Sequence, residues 1–123
     1  MLALSAGIEG ATGVALMIVP VIVAELLLGQ GVSGVGIAVG RVAGIALLSL
    51  ALACWPGRGD VGGRTAGLRA LLCYNLIVTL YLLRIGIGGD SVGILLWPAV
   101  TAHAVFTLLF ARAWFGKGSR ASP

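Results

Sequence analysis

Charge is what this chain has least of. Eight basic and four acidic residues make up 10% of its 123 positions, where soluble domains carry roughly 25%. Hydrophobic residues reach 59% and the mean hydropathy is +1.11. A soluble fold of this length buries only about two-thirds of its surface, so water cannot be the solvent for so much apolar side chain. Lipid is the alternative. Histidine occurs once, which excludes bis-histidine haem ligation, and the two cysteines, Cys54 and Cys73, are too few for a closed zinc site. The two aspartates, Asp60 and Asp90, fall in loops remote from His103, so no Ser-His-Asp arrangement is available. No metal, no cofactor and no enzymatic activity are expected. The first nineteen residues lack a basic n-region and contain Glu9, which argues against a cleavable signal peptide.

Four apolar stretches stand out, at about residues 2–19, 35–55, 66–85 and 92–115. Each is near the ~20 residues a helix needs to cross ~30 Å of hydrocarbon. They predict an all-α, four-helix transmembrane bundle with short loops, forming a single integral membrane domain over residues 1–123. Twenty glycines do not oppose this, because glycine is commoner in transmembrane helices than in soluble ones. The breaks are Gly-rich and polar: 29–34, 56–60 and 86–91. Pro20 to Leu28 reads in two ways. Helix 1 either continues through a kink at Pro20, or ends near Val19 and is followed by a short interfacial helix with Pro20 in its first turn, where a missing N–H costs nothing. The second reading is preferred because it leaves Glu25 solvated.

With four spans, the N-terminus, the 2–3 loop and the C-terminal tail share a side. That side holds Arg58, Arg64, Arg69, Arg112, Lys117 and Arg120, against Arg41 and Arg84 on the other. The positive-inside rule then places both termini in the cytoplasm of a bacterial inner membrane, and Cys54 and Cys73 near a reducing face where a disulfide is not expected. The net charge of +4 does not point to nucleic acid, because the basic residues form no face with interleaved aromatics. The expected partner is the bilayer, with a second copy of the chain or another membrane protein as further options. Trp55, Trp97, Trp114, Tyr74 and Tyr81 read as interfacial anchors.

Two sets of residues carry what chemistry there is. Gly36, Gly40 and Gly44 repeat at four-residue spacing, and Gly7, Gly10 and Gly13 at three. Helices in lipid associate where small residues let backbones approach, so these stripes predict close packing of helices 1 and 2 or of two copies. The second set is polar: Glu9, Arg41, Asn75 and His103. A bare charge near the bilayer centre costs at least ~2.5–3.5 kcal/mol. Glu9 falls close to mid-depth and Arg41 about 6 Å from the middle of its span by the helix rise, so the two are expected to pair. The pair either fixes helix register or binds a proton or solute. Asn75 and His103 fall near the centres of spans 3 and 4, where antiparallel packing would let them hydrogen-bond. Thr79 and Thr107 lie one turn on from each. Gly57-x-Gly59-x-x-Gly62 matches a dinucleotide fingerprint by letters but has no βαβ context, and Arg58-Gly59-Asp60 has the letters of an adhesion tripeptide on a face expected to be cytoplasmic.

The segments Ile8-Glu9-Gly10-Ala11-Thr12-Gly13, Gly40-Arg41-Val42-Ala43-Gly44, Cys54-Trp55-Pro56-Gly57, Tyr74-Asn75-Leu76 and Leu96-Trp97-Pro98-Ala99 resemble a family of small uncharacterised bacterial four-helix integral membrane proteins. The overall layout is loosely similar to that of DoxX-like proteins. The resemblance implies location and topology and no reaction. Two function classes follow: a non-enzymatic helical module or accessory subunit, or a carrier or channel for a proton or small solute acting as an oligomer.

Overall fold

A computed structural model describes residues 1–55, 61–89 and 92–116, and within these the chain is all-helical. Five helices follow in order: α1 (Leu2–Ile18), α2 (Pro20–Leu28), α3 (Val35–Ala53), α4 (Val61–Gly88) and α5 (Leu96–Phe115). The helices α3, α4 and α5 are long and apolar enough to cross a membrane, and α1 with α2 makes a fourth if that bent pair counts as one span. Because α1 lies against α3 over most of its length, it shares whatever depth α3 occupies.

Proline chemistry sets the break between α1 and α2. Val19 takes φ −130° and ψ 56°, outside the helical region, as a residue before proline is biased to do. Pro20 then opens α2, and the chain direction turns by 118° between the two helices. The reading with a separate short helix is the one the backbone adopts, and Glu25 is exposed on it. Gly29, at φ +71°, closes α2 in the left-handed conformation. Three of the long helices differ from expectation in their limits. The second long helix stops at Ala53, two residues before the expected limit at Trp55. The third runs from Val61 to Gly88 rather than over 66–85, because Gly62 and Gly63 at one end, and Gly86 and Gly88 of the expected 86–91 break at the other, are carried in the helix. The last begins at Leu96 instead of Val92, since residues 92–95 form a capping turn.

Two antiparallel helix pairs make the bundle. In the first, Gly10 faces Ala51, and Gly13 meets Gly44 and Leu48. In the second, α4 and α5 run past each other with Arg69 over the Trp114 ring at one end and Gly86 against Leu96 and Trp97 at the other. Two apolar clusters join the pairs. Cys54, Leu68, Leu71, Phe106 and Phe110 form one, with Leu2 and Leu50 packed on it. Leu82, Leu96 and Val100 form the other, and Leu27 and Leu28 of α2 pack there. The small helix thus straps the first pair to the second across the end remote from Leu2 and Phe115. Its last carbonyls are used in doing so: Gly93 N–H donates to Leu27 O (3.1 Å) and Leu95 N–H to Leu26 O (2.8 Å). Gly93 has to be glycine, since a Cβ there would collide with the Leu26 carbonyl.

The expected glycine seam is present in part. A Cβ on Gly44 would lie 2.5 Å from Gly13 O and 2.9 Å from the Met17 backbone N, so two backbones touch there. Gly40 faces Pro20, at the start of α2, and Gly36 faces Val32 in the preceding connection. Neither packs on α1. The stripe is therefore one close contact followed by accommodation of the turn. On α1, Gly7 has open space beside it. Of the cysteines, Cys54 is buried in the first cluster and Cys73 is exposed; both are free thiols. Residues 57–60 of the fingerprint-like and adhesion-like motifs lie outside the described residues.

Candidate functional site

Between the two apolar clusters along the bundle lies a polar one. The core stripe of α4 runs Leu68, Leu71, Asn75, Val78 and Leu82, and that of α5 runs Leu96, Val100, His103, Phe106 and Phe110. Steps of three and four residues keep each stripe on one helix face. Asn75 and His103 each replace one apolar member near the middle of its stripe. From α1, Glu9 enters the same level; its buried face comprises Ser5, Ala6, Glu9 and Gly13. Asn75 is fully buried and Glu9 is 2% exposed.

The hydrogen bonds orient the ring. Asn75 Nδ2 donates to Leu71 O at 2.8 Å, so its Oδ1 faces His103. His103 Nδ1 lies 2.8 Å from that oxygen and 3.7 Å from Glu9 Oε1. The Nδ1 that faces the Asn75 carbonyl oxygen carries a proton, and whenever the imidazole is neutral Nε2 is a bare acceptor. Tyr74 stands edge-on to the ring, with centroids 5.8 Å apart at 75°, and its hydroxyl engages the Glu9 carboxyl. The carboxyl is thus approached by one donor from α4 and one from α5, and each helix pair contributes to the cluster. Thr79 and Thr107 add nothing to it, because their hydroxyls donate back to the Asn75 and His103 carbonyls at 2.7 and 2.8 Å.

Of the four polar candidates, Glu9, Asn75 and His103 are brought together and Arg41 is not. The Glu9–Arg41 pair is absent: Arg41 is exposed and forms no ion pair among the described residues. It sits beside exposed Val42 and Ile45, about 100° around α3 from Gly40. Equal depth brought the two charges into one reading, but depth does not set which side of a helix a residue occupies. A helix side chain leans toward the N-terminus of its helix, which for Arg41 is the nearby end, so its guanidinium can reach the head-group layer.

Tyr74, expected as an interfacial anchor, stands instead beside His103, and Ser5, outside the expected polar set, is fully buried. Both had a signal. Tyr74 is central in its span, where a phenol needs a polar partner, and Ser5 precedes Glu9 by four residues and so shares its face. Trp55, Trp97 and Tyr81 are exposed on the outer surface. Comparison with known proteins matches the chain to no family model, no curated protein and no solved structure.

Proposed function

We propose that this chain is a non-enzymatic helical module of a membrane, an accessory subunit that acts through the proteins and lipid around it. One observation carries the reading. Glu9, Tyr74, Asn75 and His103 direct their polar atoms at one another across the junction of two helix pairs, as a cluster that fixes helix register does. Outside that cluster the helices present apolar faces, with residues such as Ile18, Val35, Leu52, Ile87 and Leu108 more than half exposed. These suit contact with acyl chains or a partner's helices.

The six-to-two distribution of basic residues supports placement in a bacterial inner membrane with both termini cytoplasmic. The strap helix α2 would lie at the opposite face, with Glu25 toward water. A reporter fused after Pro123 that reads as external would overturn this orientation.

A second reading has its own support. Glu9 and His103 are both titratable and their side chains meet at 3.7 Å in the middle of the bundle, so a proton could pass between them in a carrier built from several copies. Proton flux into proteoliposomes separates the two. The module reading expects wild type and Glu9→Gln to leak equally and at the rate of empty vesicles. A wild-type flux above that rate which Glu9→Gln abolishes would replace it with the carrier.

A further inference from the structure

Ser5 is fully buried, and its hydroxyl has no hydrogen-bond partner. Other helical hydroxyls in this chain solve that problem locally: Ser49, Thr79, Thr101 and Thr107 all donate to the carbonyl four residues earlier. Ser5 does not, although the Met1 carbonyl is in place and accepts its backbone N–H at 3.0 Å. Its hydroxyl is therefore turned to another purpose. One turn on, Glu9 lies on the same buried face, and helix side chains lean over the turn that precedes them. For Glu9 that preceding turn is the one that carries Ser5. A carboxylate offers about four lone-pair positions, and of its neighbours His103 Nδ1, at 3.7 Å, stands beyond direct hydrogen-bond range.

We infer that Ser5 and Glu9 hold a single water molecule between them, inside the bundle. The water donates to the Glu9 carboxyl and exchanges a second hydrogen bond with the Ser5 hydroxyl, while His103 Nδ1–H stays on Asn75 Oδ1. Buried waters make about two to four hydrogen bonds to groups that would otherwise go unpaired, and polar groups set apart beyond ~3.5 Å are the usual sites for such bridging. The site accepts water because its partners are a carboxyl and a hydroxyl one helical turn apart on the same buried face. It extends the polar cluster toward the end of the bundle where the chain begins, independently of whether the protein carries protons.

Water-edited solid-state NMR on the carbon-labelled protein in bilayers tests the site. Magnetisation transfer from water to the Glu9 carboxyl carbon is expected to be several-fold faster than to the methyl of fully buried Ala6. In Ser5→Ala that transfer should fall toward the Ala6 level, and the Tm in the same bilayers should drop, because the water loses a partner. A dry site predicts the reverse sign: Ser5→Ala would remove an unpaired buried hydroxyl and raise the Tm. Transfer to Glu9 in the wild type no faster than to Ala6, transfer unchanged by Ser5→Ala, or a raised Tm would each overturn the inference.

Discussion

Gly44→Leu is expected to separate α1 from α3 and to cost on the order of 4 kcal/mol or more, in the range reserved for severe overpacking. The first atom of any side chain at this position would stand 2.5 Å from a backbone oxygen and 2.9 Å from a backbone nitrogen, and neither can rotate away. Gly44→Ala should already destabilise the protein, by about 1–3 kcal/mol. Gly7→Ala supplies the contrast. Nothing lies within 4 Å of that site, and alanine is the better helix former by about 1 kcal/mol, so the change should be neutral or stabilising. Thermal unfolding in one detergent measures both. Equal tolerance at Gly44 and Gly7 would mean that the helices do not pack through this contact.

The second large effect is expected at Asn75. Asn75→Leu keeps the volume and removes the acceptor for His103 Nδ1–H, leaving a buried donor unpaired at a cost of about 1–3 kcal/mol. His103→Phe, added to it, should return much of that loss, because both polar partners are then replaced by apolar ones. The interaction term of the double-mutant cycle should exceed about 1 kcal/mol, as for residues in direct contact. Arg41→Met, outside the cluster, should change stability by no more than about 0.5 kcal/mol. A severe Arg41→Met, or strict additivity between Asn75 and His103, would show that the polar cluster is not what joins these helices.

What could be read in the sequence is what depends on position along the membrane normal. Hydropathy placed the long helices to within a few residues, except where α4 carries its glycines onward, and Pro20 marked the turn because its missing N–H is a local property. Asn75 and His103 were paired correctly because both lie central in consecutive antiparallel spans. What could not be read is rotation about each helix axis. In water, the polar face of a helix shows which side is out. In lipid both sides are apolar, and Val42 or Ile45 on the outer surface looks no different from Leu71 or Leu82 in the core. Depth alone matches Glu9 with Arg41, and Arg41 lies on an exposed flank of its helix, about 100° around from Gly40. The same loss of phase made the three-glycine stripe look like one seam, whereas only Gly44 packs against α1.

The strap formed by α2 has a consequence for how the chain is made. Its final carbonyls, at Leu26 and Leu27, are satisfied by N–H groups of Leu95 and Gly93, which emerge from the ribosome only after α3 and α4 have been synthesised. Until then the end of α2 has no partner for those carbonyls in the chain, and in a bilayer it must stay where water can hydrate them. The first helix pair can therefore insert and close through Gly13 and Gly44, but its far end stays unlatched until the start of α5 arrives. Completion of the bundle is timed by translation of its last helix, and a nascent chain stalled before Val92 would hold α1 and α3 together with α2 still loose at the surface.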